Sequence, residues 1–357
     1  METLFRNILV LLPNWIGDVV MCTPALRALR RQFPEAVITV AGRAAACELV
    51  RGLPGIEREA VLPKRNPLTG WLDCAGRLRP MRFDLAVVFP HSFRAALVAR
   101  LSGAPHRLGY ARDRRTFLLT DAMPAYKVDG RIQPIYMAQE YLGLVRSIGC
   151  EDDGQGLELC ADEAIVSDIA SGLEGSRPLV GIAPGAAFGP SKLWPLERYA
   201  AVADRLSLEA GARCVLLTGP GEERIRDAVL AAVKGPLPLT DDRPLSIARL
   251  KALISRLDLL VCNDSGPRHI AVAFNVPTVC LMGPTSPAYS TGPYERGALL
   301  RVDVYCGPCQ KPVCATDHRC MHRISVDWVV KSAIRAMRTQ FRVPSSEFRE
   351  ASSERRV

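Results

Sequence analysis

The sequence lacks several features that would assign it to common classes of protein. No run approaches the roughly 20 apolar residues that a membrane-spanning helix needs. The first segment, METLFRNILVLLPNWIGD, has neither the basic start nor the small-residue cleavage site of a signal peptide, so we interpret it as the first strand of a cytoplasmic protein. No Walker loop, GxGxxG fingerprint, zinc finger or helix-turn-helix signature is present. Nucleic acid is therefore not an expected partner.

The composition indicates a globular protein with room for two domains. The chain has 357 residues, of which 48% are hydrophobic, so two cores can be filled. Most of its twelve cysteines stand in scattered apolar contexts, as Cys214, Cys262 and Cys280 do, which favours reduced core residues. The formal net charge is +9, and arginines crowd residues 94–115. A basic face suits phosphates or an anionic membrane surface, with a merely solvated surface as the simpler alternative.

Strands and helices alternate along the chain in two series. The first series begins with a strand at 8–12 and a helix at 18–32, and it fades into a basic loop region at 112–131. The second restarts with a strand at 179–183. Repeated strand–helix units predict parallel sheets with helices on both faces, an α/β fold of two doubly wound domains. We predict domains at 1–165 and 176–324, a last helix at 325–342 and a disordered tail at 343–357.

The second series ends in a stretch that combines buried strands with a polar turn. Residues 258–287 read DLLVCNDSGPRHIAVAFNVPTVCLMGPTSP, which predicts a strand, a tight turn, a helix and another strand. Such a turn lies at the carboxyl end of its strand, where open parallel sheets bind ligands, and its free N–H groups suit phosphate. The alternative is an N-capped helix with a buried histidine. The polar residues of this turn are Asp264, Ser265, Gly266 and His269.

Two other loops of the second half have the character of phosphate sites. The loop at 184–195 offers small residues, Gly185, Ala186 and Ala187, followed by the positive charge of Lys192. The loop at 218–223 contains Gly219 and places Glu222 at the start of a helix. Glu222 can bond ribose hydroxyls, or it can simply complement the helix dipole. Three such loops in one domain predict a site for a nucleotide diphosphate.

The corresponding loop of the first half carries an acid. It reads LPNWIGDVV over residues 12–20, where Gly17 permits a tight turn and Asp18 opens the helix. If the two domains face each other across a cleft, Asp18 points towards the nucleotide loops. Position alone favours an aspartate that caps its own helix, and a helix N-terminus is expected to lower its pKa.

The motifs PNWIGDVVMCTPALRALRRQFP, APGAAFGPSKLWPLERYA, LTGPGEE and NDSGPRHIAVA, in this order and spacing, resemble those of the lipopolysaccharide heptosyltransferases, glycosyltransferase family 9. The resemblance covers about residues 5 to 340. It implies a GT-B fold, with an acceptor site in the first Rossmann-like domain and a nucleotide-sugar site in the second. It also implies inverting transfer of L-glycero-D-manno-heptose from an ADP donor to the inner core on lipid A. This acceptor would place the enzyme at the inner face of the cytoplasmic membrane as a peripheral protein.

Matched motif by motif, the resemblance assigns roles to single residues. Asp18 falls on the catalytic aspartate, Lys192 on the diphosphate lysine and Glu222 on the ribose-binding acid. The remaining donor-binding positions are Gly185, Ala186, Ala187, Gly219, Asp264, Ser265, Gly266 and His269. The acceptor-binding positions are Asn14, Trp15, Gly17, His91, Ser92 and Arg94. His91-Ser92 stands where the family pattern has Asn-Ser, and the stretch at 240–244 near the adenine is loosely matched.

Three alternatives remain at this stage. A nucleotide-sugar epimerase has the same architecture, and fold alone does not separate it from a transferase. A non-catalytic nucleotide-sugar-binding protein would leave the donor intact. A transferase for another core position lies within the family. Lys192 and helix N-termini can take up the charge of the departing diphosphate, so no cofactor is required for the chemistry.

A late group of cysteines has the density of a metal site. Cys306, Cys309, Cys314 and Cys320 follow one another at spacings of two, four and five residues, with histidines nearby. In a cytoplasmic protein such a group indicates metal binding more often than disulfides. The hypothesis is a structural zinc that staples this loop without a part in catalysis. The alternative is a set of reduced cysteines.

Overall fold

The structure is a computed structural model that describes residues 5–63, 70–172, 178–235 and 245–340. Within these ranges no helix has the length and apolar character needed to cross a membrane. The stretch at 240–244, part of the predicted boundary between domains and the predicted tail at 343–357 lie outside the described residues.

The first half forms a six-stranded parallel sheet of order β3-β2-β1-β4-β5-β6, with a small antiparallel hairpin of β7 and β8. Its elements are β1 (Asn7–Leu11), α1 (Ile16–Met21), α2 (Thr23–Gln32), β2 (Val37–Gly42), α3 (Ala44–Val50), β3 (Arg58–Val61), α4 (Gly70–Leu78), β4 (Leu85–Val88), α5 (Phe93–Leu101), β5 (His106–Tyr110), β6 (Asp121–Met123), β7 (Lys127–Val128), β8 (Arg131–Ile132) and α6 (Met137–Arg146).

The second half forms a five-stranded parallel sheet of order β10-β9-β11-β12-β13. Its elements are α7 (Glu163–Gly172), β9 (Leu179–Ala183), α8 (Leu196–Ala210), β10 (Arg213–Leu216), α9 (Glu223–Ala232), α10 (Ile247–Ile254), β11 (Leu259–Asn263), α11 (Gly266–Ala273), β12 (Thr278–Leu281), α12 (Pro287–Ser290), β13 (Gly297–Leu300), α13 (Arg319–His322) and α14 (Val326–Gln340).

The central strands are apolar along their whole length because helices cover both faces of each sheet. All residues of β9 and β11 are buried, as are all but the first of β1. In the first sheet the strand order reverses between β1 and β4, and in the second between β9 and β11. Loops that leave the carboxyl ends of strands at such a reversal form a crevice. The predicted site loops follow β1, β9, β10 and β11, so the topology gathers them at the carboxyl edges of the two sheets.

Two predictions of local structure were wrong. The helix expected at 18–32 is two helices that meet at Cys22, because Pro24 has no N–H to continue the first helix and instead fits the first turn of the second. The basic region at 112–131 contains a sixth strand, β6, which pairs with β5 through Leu108 and Asp121. Short strands at the edge of a sheet carry little apolar pattern, so β6 has no recognisable signal in the sequence.

The two halves pack directly against each other beside the crevice. Helix α1 of the first half contacts α11 of the second, and a Cβ placed on Gly17 would lie only 2.7 Å from Cδ2 of His269. Only a glycine fits at this contact without displacing the histidine. Gly17 is the second residue of α1, so the prediction that it forms a tight turn was wrong, and its small size instead permits the close approach of α1 and α11.

Candidate active site

One cavity of about 650 Å³ opens between the two halves. Residues after β1 form one wall, and residues after β9, β10, β11 and β12 form the other. The cavity gathers the predicted catalytic and donor-binding residues and three of the predicted acceptor-binding ones: Asn14, Trp15, Gly17, Asp18, Gly185, Ala186, Ala187, Lys192, Gly219, Glu222, Asp264, Ser265, Gly266 and His269. Positions far apart in the sequence therefore share one concave surface of the size that ligands use.

Asp18 stands in the first turn of α1, and the N-cap of that helix is Trp15. The interpretation of Asp18 as the N-cap of its own helix is therefore wrong. Burial raises the pKa of Asp18 to about 6, although the neighbouring charges of His91 and Lys192 act to lower it. The expectation that the helix N-terminus lowers this pKa was wrong in sign, because burial at the cavity wall outweighs the dipole. A carboxyl group with such a pKa is ionised at neutral pH and still able to accept a proton.

Lys192 reaches the same cavity from the opposite wall. Its Nζ donates to Oδ2 and to the backbone carbonyl of Asp264, both at 2.7 Å, and lies 5.0 Å from the centre of the Phe188 ring. Its side chain is only 12% exposed. The ammonium group is thus held at one point of the cavity wall, where a phosphate oxygen can become a further partner.

The carboxylate of Asp264 is bonded on both oxygens. Oδ2 accepts from Lys192 and Thr285, and Oδ1 accepts from Arg268 and Ser290. Burial acts to raise the pKa of Asp264, but Lys192 and Arg268 together hold it well below its usual range. This geometry makes Asp264 the group that positions Lys192, which sequence reasoning had described only as part of a donor-binding turn.

Arg268 was missed by sequence reasoning. It is fully buried, and it donates to Asp264 at 2.8 Å and to both oxygens of Glu295 at 2.8 and 2.7 Å. Its spacing of four residues from Asp264 on the predicted helix was the available signal. Glu295 is distant from both residues in the sequence, so no sequence pattern indicated it as a partner. The result is a chain of alternating charges, Lys192–Asp264–Arg268–Glu295, in which each buried charge has a partner.

Glu222 lies at the cavity, whereas its neighbour Glu223 occupies the first turn of α9. Glu222 is itself the N-cap of α9, so both acids stand where the helix dipole favours a negative charge. The Glu222 carboxylate accepts from the backbone N–H of Gly219 at 2.8 Å, and burial raises its pKa. It lies so close to Gly185 that a Cβ on that glycine would be 1.9 Å from Oε1. The loops after β9 and β10 are thus in close contact at this carboxylate.

His269 is buried, and burial lowers its pKa to about 3, so its imidazole is neutral. Its Nδ1 has no hydrogen-bond partner among the residues that the structure describes. In that same part of the chain the Ser265 side chain makes no capping hydrogen bond to α11. The simple alternative of a capped helix with a satisfied histidine is therefore not what the structure shows. Polar groups at the start of α11 remain available to a ligand.

The remaining predicted acceptor residues do not line the cavity. His91 lies between Glu140, at 3.0 Å from Nε2, and Arg112, at 3.0 Å from Nδ1. Ser92 is the N-cap of α5 and accepts from the N–H of Ala95 at 3.3 Å. Arg94 lies close enough to Cys74 for its charge to lower the pKa of that thiol, although burial raises this pKa overall. Contact of Ser92 and Arg94 with an acceptor stays a prediction, while His91 lies close enough to Asp18 for its charge to act on that carboxylate.

Part of the expected basic face is internal. Arg115 is fully buried and donates to the backbone carbonyls of Pro90, Ser92 and Tyr110. Arg112 is paired with Glu140 at 3.3 Å. These two arginines stabilise loops of the first half and are not free to bind phosphates.

The four late cysteines line a second, smaller cavity of about 100 Å³. In the described ranges no group of three or more Cys, His, Asp and Glu side chains is arranged to hold a metal ion. The geometry therefore gives the structural zinc hypothesis no support, and zinc binding stays a prediction. The earlier cysteines, from Cys22 to Cys280, are free thiols and nearly all buried, as expected.

Two Rossmann-like halves that face one cleft at the carboxyl ends of their strands define a GT-B protein. Solved structures agree: the glycosyl transferase family 9 protein from Veillonella parvula has a TM-score of 0.84 at 23% identity and covers 95% of this chain and 99% of its own. The structure titled E. coli ADP-heptose lps heptosyltransferase II has a TM-score of 0.78 at 26% identity, with coverages of 94% and 100%.

The sequence comparisons identify the family. The model of glycosyltransferase family 9 (heptosyltransferase) matches residues 71–319. Lipopolysaccharide heptosyltransferase 2 of Escherichia coli is 31% identical over 316 residues, which are 83% of this chain and 88% of that protein. The chain belongs to glycosyltransferase family 9 and is a glycosyltransferase. These relatives are transferases, so an epimerase has less support, and the resemblance seen in the motifs is confirmed.

Proposed function

We propose that the protein transfers L-glycero-D-manno-heptose from ADP-heptose to the inner-core heptose of lipopolysaccharide, with inversion at the anomeric carbon. The observation that carries this proposal is the placement of Asp18 and Lys192 on opposite walls of one cavity. One of the two can accept a proton and the other can receive a departing diphosphate. Relatives named lipopolysaccharide heptosyltransferase 2 support the choice of donor and acceptor.

On the acceptor side, Asp18 acts as the general base. An acceptor hydroxyl attacks the anomeric carbon while its proton passes to the Asp18 carboxylate. A new carbon–oxygen bond forms as the bond from the anomeric carbon to the diphosphate oxygen breaks. Attack from the face opposite the leaving group inverts the configuration. A pKa of about 6 suits this task, because the group is ionised before the reaction and basic enough to take the proton.

On the donor side, the charge that develops on the leaving ADP is met by Lys192 and by the N-terminus of α11. Small residues at 185–187 allow backbone N–H groups to approach the diphosphate. Asp264 keeps the lysine ammonium in place during the reaction. Glu222 is positioned for the ribose hydroxyls, beside the Gly185 backbone.

The proposed acceptor is anchored in a membrane by its lipid, so the protein would work at the inner face of the cytoplasmic membrane as a peripheral protein. Exposed aromatic side chains at the carboxyl edge of the first sheet suit such a surface: Trp15 is 54% exposed, Phe93 45% and Phe117 73%.

Product analysis tests the function. Purified protein is incubated with ADP-heptose and lipid A–core acceptors truncated at defined positions, and products are identified by mass spectrometry and NMR. We expect one heptose to be added to the acceptor that ends in the first inner-core heptose, together with stoichiometric ADP. Addition to a different truncation would identify a transferase for another core position. Conversion of ADP-heptose without any acceptor would indicate an epimerase, and donor bound but unchanged would indicate a binding protein.

A further inference from the structure

The segment that carries the four late cysteines packs against the loop that carries Lys192. This four-cysteine segment comprises residues 304–320, and the loop is a single helical turn, Pro190–Lys192. Ser191, at the centre of the turn, is 1% exposed. Its N–H donates to the carbonyl of Pro312 at 3.0 Å, and its Oγ donates to the carbonyl of Lys311 at 2.6 Å. The turn is therefore joined to the segment by two hydrogen bonds, to the carbonyls of adjacent residues.

A third bond comes from a side chain. Nε2 of His318 donates to the carbonyl of Ser191 at 2.6 Å. This carbonyl belongs to the peptide bond that links Ser191 to Lys192. The hydrogen bond from His318 therefore fixes the orientation of the peptide plane to which Lys192 is attached. His318 is the N-cap residue of α13 and has a left-handed backbone, with φ of 57°. Its ring is also the neighbour of His322, at 5.2 Å between centroids.

The far end of the same lysine is held by a different element. Nζ of Lys192 is bonded to Asp264 at the end of β11, whereas its backbone depends on the four-cysteine segment. A long flexible side chain keeps its charge at one point only when both ends are restrained, since each free rotor otherwise spreads the charge over several positions.

We propose that His318 is a positioning residue for Lys192, and that the four-cysteine segment braces the diphosphate-binding loop. The sequence predicted that this segment has a structural role only. In the present proposal it also contributes to catalysis indirectly, by positioning Lys192. The inference rests on the proposed function in so far as Lys192 is taken to meet the donor diphosphate. No metal at the cysteines is required for it.

Two substitutions separate the hydrogen bond from the space that the side chain fills. His318→Gln keeps an N–H donor near the position of Nε2, whereas His318→Met has similar length and no donor. Both are unbranched and meet the same positive φ, so their backbone costs match. Each protein is labelled with an amine-reactive anhydride, and the rate at Lys192 is measured by peptide mass spectrometry against the exposed Lys331. Thermal unfolding of each variant is recorded in parallel.

We expect His318→Met to raise the labelling rate of Lys192 by roughly fivefold, the ratio that loss of one hydrogen bond gives, and His318→Gln to stay within about twofold of wild type. The turnover number for heptose transfer should fall in the Met variant and recover in the Gln variant, with an unchanged KM for the acceptor. Equal labelling in wild type and His318→Met would overturn the proposal, and so would equal disturbance by both variants. Labelling needs no substrate, so a wild type without transferase activity would refute the proposed function alone.

Discussion

Asp18 shows how a single environment sets the task of a carboxyl group. In water it would be a weak base at neutral pH, and at an ordinary helix start it would be weaker still. Against the cavity wall its pKa rises to about 6 because burial penalises the charged form. Lys192 and His91 limit this rise in pKa, so the carboxyl group stays ionised at neutral pH.

The pH dependence of transfer should report this group. We expect the rate of the wild-type protein to fall as pH drops through about 6, because protonated Asp18 cannot accept the hydroxyl proton. Asp18→Asn should lose roughly 10²–10⁴ in turnover above about pH 7, with a smaller loss relative to wild type below pH 6, and should bind ADP as wild type does. Initial rates between about pH 5 and pH 8.5 and calorimetric ADP binding measure both effects. A turnover number of the variant within a few-fold of wild type would show that Asp18 is not the general base.

The same substitution should change stability in a pH-dependent way. The folded pKa of Asp18 is about 6 and the ordinary value is 3.8, so the unfolded chain binds fewer protons between these values. Stability from this group therefore falls as pH rises from about 4 to 6 and stays reduced above that range. Near pH 8 the free energy of unfolding of Asp18→Asn should exceed that of wild type by up to about 3 kcal/mol, seen as a higher unfolding temperature, and near pH 3.5 the two proteins should unfold at the same temperature. A variant that is less stable near pH 8 would contradict the assigned burial.

Lys192 should matter for binding as well as for turnover. Lys192→Ala removes a charge-assisted contact with the diphosphate, which corresponds to roughly 1.5–3 kcal/mol, or about ten- to 150-fold in affinity for ADP. Turnover should fall further, because the charge on the leaving group grows in the transition state. Calorimetry with ADP and steady-state rates measure the two effects. Lys331→Ala, at an exposed position of α14, is the control. ADP affinity equal to wild type would show that the lysine only holds Asp264.

At the scale of elements, the sequence predicted what local pattern determines. The strand, turn, helix and strand at 258–287 appear as β11, α11 and β12, because buried strands and a proline after an N-cap are local signals. The residues of four loops met in one cavity because the carboxyl ends of parallel strands share an edge. Partners such as Glu295 could not be found, since a contact between remote segments leaves no periodic signal.

The close contact between the loop after β9 and the loop after β10 leads to a prediction at the scale of elements. Gly185→Ala would place a Cβ on the Glu222 carboxylate, so either the acid or the loop must move. Overpacking of this kind costs about 1–3 kcal/mol. We expect this cost to appear as weaker ADP binding, because Gly185 and Glu222 both line the cavity proposed to hold the nucleotide. Gly219→Ala is the matched control: its Cβ would lie 3.8 Å from Glu222, and neither glycine has a left-handed backbone. Calorimetry on the two variants measures the difference, and equal affinities would mean that Glu222 has room to move.

At the scale of the molecule, the proposed mechanism requires the two halves to bring Asp18 and Lys192 to opposite walls of one cavity. Asp18 belongs to the first sheet and Lys192 to the second, so their separation is set only by contacts between halves. The apolar core runs from one half into the other, from residues such as Val19 to residues such as Ile270. Apolar contacts alone tolerate sliding, whereas polar contacts with fixed geometry specify one arrangement.

Lys251 provides such a contact. It lies on α10 in the second half and is 4% exposed, and its Nζ donates to the carbonyls of Glu48, Leu49 and Arg51 at 3.1, 3.0 and 3.2 Å. These carbonyls stand at the carboxyl end of α3 in the first half, where the helix dipole is negative and the last carbonyls lack helical partners. Burial lowers the pKa of this lysine, and the carbonyls compensate its charge.

Lys251→Met keeps the aliphatic stem and removes the three bonds. We expect a loss of roughly 1.5–3 kcal/mol in unfolding free energy, reduced by the relief of burying a charge. We also expect kcat/KM for transfer to fall by a larger factor than ADP affinity, because the proposed ADP-binding residues all belong to the second half, whereas the proposed transfer needs both halves. Thermal unfolding, calorimetry and steady-state kinetics measure the three quantities, with Lys331→Met as the exposed control. If kcat/KM and ADP affinity fell by the same factor, Lys251 would stabilise the second half only, and the distance between Asp18 and Lys192 would have to be fixed by the packing of α1 on α11.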